Sequence, residues 1–334
     1  MSPTTRIGRA GVAFAVLGPL LLAACAPPLP EPTPDAEPAV VQAALSTDQV
    51  ERVVEQVAAV LAEADAGGSA ETLDPRVTGP AEAVRSVEYR LAAAGVEQAL
   101  TPVPEGIQTI VVPATTTWPR TVMVVTEPPE DLQAPLLLTL VQPRPREAYE
   151  LWSWVRLFPG VQMPATTEPG LGSPTVPGGE ESGLLVPPED VIPRYVDVLT
   201  SGTESEHAAT FAEDPMRAQI VGVRDSLSAS LAEQGSLVET YQPAFDGVTR
   251  SLATADGGAV VVGAVETVTT ITLDDSTLTL GAGETVALLG GDTITESLTT
   301  TWLSMVAFYV PPAGSSDPVV VLGGEHTPTE VTGQ

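Results

Sequence analysis

Apolar residues recur with the spacing of an α-helix in four stretches of the chain. The first extends from Thr47 to Ala64. Ser46, just before it, and Gln49, in its first turn, have the spacing of a capping box. The other three stretches are 80–94, 191–200 and 216–234. In the last one the apolar stripe is formed by Ile220, Val223, Leu227 and Leu231. The pattern predicts four helices, arranged in two pairs.

Each helical pair is followed by short runs rich in β-branched residues, which predict antiparallel strands. The runs after the first pair are 109–113, 120–126, 136–141 and 149–158. The runs after the second pair are 249–254, 259–273, 277–280 and 298–310, with 319–322 as a fifth candidate. The order of helices and strands is therefore the same in both halves.

A short sequence repeat supports a duplication. Asp74-Pro75 and Asp214-Pro215 both precede a glycine at the same spacing, Gly95 in one half and Gly235 in the other. We predict an α+β protein of two tandem units, each with helices packed on a curved antiparallel sheet. The predicted boundaries are 46–158 for the first unit, 159–187 for a linker rich in proline and glycine, 188–323 for the second unit and 324–334 for a disordered tail.

The first 45 residues have a different character. Arg6 and Arg9 precede an uncharged apolar run that ends in Leu22-Ala23-Ala24-Cys25, which resembles a bacterial lipobox. This run is shorter than the ~20 residues of a membrane-spanning helix, and Pro19 interrupts it. Residues 1–24 are therefore predicted to be a lipoprotein signal peptide. Residues 25–45 are predicted to be the lipidated cysteine followed by a proline-rich tether, extended because proline prevents packing.

The lipobox, the proline-rich tether and the Asp-Pro helix pattern resemble those of uncharacterised actinobacterial lipoproteins. A helix pair followed by an antiparallel sheet is similar to the nuclear-transport-factor-2-like and cystatin-like folds, which often leave a conical pocket. The resemblance implies attachment to the cell membrane, on its extracytoplasmic face, through a diacylglyceryl (palmitate-bearing) Cys25. It implies no activity.

The amino-acid composition excludes several classes of site and partner. The formal net charge is −29, and all 14 basic residues are arginine. Without lysine there is no Schiff base and no lysine-type phosphate loop. The single cysteine leaves no disulfide and no cysteine metal site. So acidic a chain disfavours nucleic acid as a partner, since phosphate binding depends on Lys and Arg. We predict no cofactor, no metal and no catalytic set, and we leave open whether the protein is an enzyme.

Two groups of residues are candidates for a site. Trp152, Trp154 and Arg156 alternate along a predicted strand, so they could form a binding surface for a peptide, a protein or an envelope component. The alternative is that this row is core, because aromatic residues are scarce here. His207 could act as a general base or a metal ligand beside Glu206 or Asp214, or it could be a solvated loop histidine.

Two functions of different classes follow. The first is a membrane-anchored binding or scaffolding module. The second is an extracytoplasmic hydrolase with carboxylates or His207 in a conical pocket. The second histidine, His326, falls in the predicted tail, and we assign it no role.

Overall fold

The structure is a computed structural model that describes residues 41–129, 133–231 and 234–334. Its α-helices are α1 Thr47–Gly67, α2 Gly79–Ala93, α3 Pro188–Ser201, α4 Pro215–Leu231 and α5 Glu284–Leu289. Its strands are β1 Ile107–Val111, β2 Pro113–Ala114, β3 Arg120–Thr126, β4 Leu136–Gln142, β5 Glu150–Arg156, β6 Ser173–Pro174, β7 Gly235–Pro243, β8 Arg250–Ala253, β9 Ala259–Leu273, β10 Leu278–Thr279, β11 Thr293–Ile294, β12 Ser297–Val310 and β13 Val320–Gly333. The signal peptide, Cys25 and the tether up to residue 40 lie outside the described residues.

The four predicted helices are α1 to α4, and local sequence explains where α1 begins and ends. The Ser46 side chain accepts a hydrogen bond from the Gln49 backbone N–H, and the Gln49 side chain accepts one from the Ser46 N–H, which confirms the capping box. Gly68 ends the helix in the left-handed region at φ 59°. The mixed α+β class is confirmed.

Two antiparallel sheets dominate the fold. The first has four strands in the order β1-β3-β4-β5. The second has the order β13-β12-β9-β7, with β8 paired to β9. The strands β9, β12 and β13 are each 14 or 15 residues long, so they extend well beyond the first sheet's seven-residue strands.

Alternation along β12 places its side chains in two different cores. Leu303, Met305 and Ala307 lie in the same core cluster as the first sheet and helices α1 and α2. Val306 and Phe308 lie in a second cluster, against helix α3. The second sheet is therefore a central layer with one core on each face.

The two sheets meet at the end of β5. The Phe158 N–H donates to the Leu322 carbonyl oxygen at 2.9 Å. A Cβ at Gly323 would lie 2.2 Å from the carbonyl oxygen of Arg156, so only glycine permits this approach. Residues 41–334 form one compact unit. The two predicted units, 46–158 and 188–323, share one hydrophobic core cluster, which contains Leu138 of the first and Met305 of the second.

Three differences from the sequence prediction concern the second half. The disordered tail predicted at 324–334 is wrong, because 320–333 form the edge strand β13, paired along β12. Strand β7 was not predicted; the expected strands of the second half began at residue 249, whereas β7 follows directly after the segment predicted as helix 216–234. The segment 159–187 contains β6, in which Ser173 pairs with Pro113 of β2.

Among the helices that the structure describes, none has the length and apolarity to cross a lipid bilayer.

Candidate functional site

The apolar side chains of helix α4 are buried against the second sheet at the two ends of the helix. Met216 and Ile220 enter the core on the α3 side, and Leu231 enters a third apolar cluster at the far end of the sheet. Between them, Val223 is 52% exposed and Leu227 is 37% exposed. The predicted stripe Ile220, Val223, Leu227 and Leu231 is thus buried at its ends and uncovered in its middle.

A cleft of about 530 Å³ lies between the middle of α4 and the second sheet. Val223 and Leu227 line it, together with Arg224 of the same helix. Its other aliphatic lining residues are Ile220, Ile271, Leu278, Leu280 and Leu298. The exposed middle of the α4 stripe therefore forms one wall of the cleft.

Polar side chains occupy the sheet beneath the cleft. Cross-strand pairing aligns Glu239 with Thr269 and Thr300 in one row. The next row aligns Tyr241 with Thr267 and Trp302, and the row after it aligns Ser304 with His326. We call these three rows the polar floor.

The polar floor interrupts an otherwise apolar sheet face. On one side of it lies the row Leu237, Ile271 and Leu298, and on the other side lies Val306. A band of hydrogen-bonding groups between two apolar regions is typical of a small-molecule site, where a few polar groups orient a ligand.

Glu239 is held in place by its neighbours. Its carboxylate accepts hydrogen bonds from the Tyr241 hydroxyl and from the Thr269 hydroxyl, the latter at 2.9 Å. Burial, together with the bond to Glu239, raises the pKa of Tyr241 well above its usual value, so the phenol stays a donor. Both oxygens of the Glu239 carboxylate therefore already have a donor within the protein.

His326 of the polar floor is held by two contacts. Its ring stacks on Trp302 with centroids 4.7 Å apart and planes 7° from parallel. Its Nδ1 lies 2.7 Å from the Ser304 hydroxyl oxygen. Burial lowers the pKa of His326 to about 4, so the imidazole is neutral at physiological pH.

The predicted row Trp152, Trp154 and Arg156 is not a binding surface. Trp154 is fully buried and Trp152 is 5% exposed. Ser153 and Leu151 oppose adjacent residues of β4, so Trp152 has no cross-strand partner and forms a β-bulge. The two indoles consequently do not alternate regularly, and both are core residues.

Arginines from other elements pack on the two indoles of this row. The Arg85 guanidinium of α2 lies 5.3 Å from the Trp154 ring centroid, and Arg250 lies 5.4 Å from the Trp152 ring. Arg156 pairs with Glu325 of β13 at 3.3 Å. These contacts explain why the row belongs to the interior.

His207 lies apart from the cleft. It precedes α4 in a short turn, with its Nε2 4.0 Å from a Glu206 carboxylate oxygen. Asp214 is buried and instead accepts hydrogen bonds from the Tyr195 hydroxyl and the Arg217 backbone N–H. These contacts lend no support to a hydrolase built on His207, which stays an untested prediction.

Within the described parts of the chain, no cluster of three or more His, Cys, Asp or Glu residues has a geometry that could hold a metal ion.

Sequence reasoning missed the site for one main reason. His326 follows Gly323 and Gly324 and precedes Pro328, residues that favour a loop. One residue in the sequence could have indicated the site. The strand period places Trp302 on the same face as Val306 and Phe308. Those two are fully buried, whereas Trp302 lines the cleft.

Comparison with known proteins places the chain in a family but assigns no activity. No curated protein and no solved structure matches it significantly. The family model described as "Domain of unknown function (DUF8094)" matches residues 41–333, which include both sheets and the cleft. The chain therefore belongs to the DUF8094 family.

Proposed function

We propose that this protein is a lipid-anchored, extracytoplasmic binding module whose cleft takes a small amphiphilic ligand. The observation that carries the proposal is the apolar stripe of α4, which leaves Val223 and Leu227 exposed above a cleft with a polar floor. A ligand in the cleft would cover both side chains. Full burial of such a residue is worth about 1.5–3 kcal/mol, so the cleft offers a real driving force.

The size of the cleft favours a small molecule over a protein partner. Its volume of about 530 Å³ lies within the range of roughly 300–1,000 Å³ typical of small-molecule pockets. Its lining combines apolar side chains from α4 and the sheet with the hydrogen-bonding groups of the polar floor. An occupant that satisfies both needs an apolar body and at least one hydrogen-bonding group.

The binding role can be tested with N-phenyl-1-naphthylamine, a neutral apolar dye that fluoresces when shielded from water. Leu227→Gln should weaken dye binding about tenfold, because it places an amide against the apolar body of the dye. Fluorescence titration gives the Kd. Because Leu227 is partly exposed, the variant should keep the stability of the wild type.

Val238→Gln is the matched control. Val238 is 59% exposed on β7 and does not line the cleft, so its substitution should leave the Kd unchanged. Equal dye affinity in wild type, Leu227→Gln and Val238→Gln would show that the dye binds elsewhere and would remove the support for the cleft.

The anchor is supported by the sequence Leu22-Ala23-Ala24-Cys25 and the basic residues before it. Cys25→Ala should release the protein to the medium or leave it unprocessed, because the acyl chains supply the membrane affinity and the acidic chain supplies none. Fractionation of cells that express either form measures this. Retention of Cys25→Ala in the membrane at the wild-type level, after processing, would contradict the anchor.

A further inference from the structure

We infer that His326 presents an Nε2–H donor to the cleft and that the ligand of this site is a neutral acyl ester or amide, bound through its carbonyl oxygen. The inference rests on the proposed function and adds the chemistry of the ligand's polar end. Three observations lead to it: the hydrogen bond of Ser304, the stack on Trp302 and the charges around the cleft.

The hydrogen bond between Ser304 and His326 fixes the tautomer. Ser304 is 1% exposed, and His326 Nδ1 is the sole partner of its hydroxyl among the described residues. If Nδ1 carried the proton and donated it, the Ser304 hydroxyl proton would be buried without an acceptor, which costs about 1–3 kcal/mol. If the hydroxyl donates to Nδ1, that buried proton is satisfied. The ring proton then resides on Nε2.

Nε2 is the ring atom left for a ligand. It has no hydrogen-bond partner within the described chain, and it is not among the fully buried unpartnered atoms. His326 itself lines the cleft. The parallel stack on Trp302 fixes the plane of the ring, so the donor points in a defined direction.

The surroundings favour a neutral acceptor over an ion. Glu239 and Glu284 line the cleft, and the chain carries a net charge of −29, so an anionic ligand is repelled. The one arginine of the cleft, Arg224, already contacts Asp225 and Tyr241. A cation is disfavoured at His326 itself, because the Nε2–H donor presents a partial positive charge to the ligand.

The apolar walls complete the description of the ligand. A carbonyl group at His326 Nε2 would leave the rest of the molecule against Leu227, Ile271 and Leu298. An acyl chain joined through an ester or an amide has this combination of one neutral acceptor and an apolar body. An alkyl chain joined through an ether has the body but lacks the carbonyl.

A matched pair of probes tests this. 1-Monolauroylglycerol and 1-O-dodecylglycerol have the same chain length and headgroup and differ at the carbonyl. In competition with N-phenyl-1-naphthylamine on the full chain, the ester should bind about tenfold more tightly than the ether, the effect of one net hydrogen bond. Laurate and dodecylamine should both bind more weakly than the ester.

Two variants test whether the preference for ester over ether comes from His326. His326→Phe keeps a ring to stack on Trp302 but has no donor, so it should bind ester and ether equally. His207→Phe changes the other histidine, outside the cleft, and should keep the tenfold preference. Equal binding of ester and ether by the wild type would overturn the inference and leave the proposed function intact. Failure of the dye to bind the wild type would overturn both.

A second measurement does not depend on a variant that folds. The ¹⁵N chemical shifts of His326 in the wild-type chain distinguish the two neutral tautomers, and we expect the Nε2–H form at neutral pH. Shifts of the Nδ1–H form would remove the donor from the cleft and overturn the inference.

Discussion

Trp154→Ala should lower the free energy of unfolding by about 3–5 kcal/mol, among the largest effects expected of a single substitution in this protein. Trp154 is fully buried in the core between the two sheets, and the Arg85 guanidinium lies over its ring. The substitution leaves a cavity and removes the cation–π contact. Urea denaturation followed by circular dichroism measures the change.

Trp154→Phe is the matched control for this prediction. The indole Nε1 of Trp154 is buried and has no hydrogen-bond partner among the described residues, so phenylalanine removes an unsatisfied donor as well as volume. We expect it to cost about 1–2 kcal/mol, clearly less than alanine. If Trp154→Ala lowered the free energy of unfolding by less than about 1 kcal/mol, Trp154 would not be a core residue and the prediction would be wrong.

The burial of Trp154 shows what strand periodicity can and cannot predict. The sequence predicted β5 and placed both indoles on one strand, with core packing as an alternative to a binding surface. The choice between them depends on Arg85 and Arg250, which are 69 and 98 residues away along the chain from their indole partners. The bulge at Trp152 depends on the register with β4, which no local pattern specifies.

The cleft illustrates a second limit of prediction from sequence periodicity. The helical period correctly places Val223 and Leu227 on one stripe with Ile220 and Leu231. A period identifies the apolar face of a helix, but it does not state whether another element fills the space in front of that face. Here the apolar stripe of α4 is buried at both ends of the helix, whereas Val223 and Leu227 in its middle are exposed and line the cleft.

Strand β13 was missed for a third reason, and most of its residues were predicted to be a disordered tail. Its residues include Gly323, Gly324 and Pro328, which locally oppose a strand. Pairing with the long strand β12 overrides this preference. Proline is tolerated because β13 is at the edge of the sheet, where a missing N–H leaves no neighbour unsatisfied. The same strand supplies the two residues whose titration gives the second large prediction.

Glu325 and His326 are adjacent on β13, on opposite faces of the sheet, and should give opposite dependences of stability on pH. Burial raises the pKa of Glu325 from 4.5 to about 7, although the nearby Arg156 opposes the shift. Between these values the folded state holds a proton that the unfolded state has released. Stability therefore falls as pH rises from about 4.5 to 7, by at most about 3 kcal/mol. The side chain is 21% exposed, so solvent screening reduces this figure.

His326 acts with the opposite sign. Burial lowers its pKa from 6.5 to about 4, so between these values the unfolded state binds a proton that the folded state does not. Stability therefore falls as pH drops from about 6.5 to 4, again by at most about 3 kcal/mol. In the wild type the two contributions largely cancel between about pH 4.5 and 6.5.

Removing one residue at a time should reveal each contribution. Glu325→Gln removes the charge and leaves Arg156 its hydrogen bond to the Ala134 carbonyl oxygen. Its stability relative to wild type should rise by about 2–3 kcal/mol between pH 4.5 and 7. The stability of His326→Phe relative to wild type should fall by a similar amount between pH 4 and 6.5. Urea unfolding at half-unit pH steps gives both differences.

The sign of each difference, more than its size, decides the outcome. A Glu325→Gln difference that does not change with pH would mean that Glu325 ionises in the folded state at an ordinary pH, so that Arg156 offsets its burial. A flat His326→Phe difference would mean that the ring accepts a proton in the folded state near pH 6.5. In that case the Ser304–Trp302 environment would not keep the imidazole neutral, and the donor of the polar floor would be a cation at mildly acidic pH.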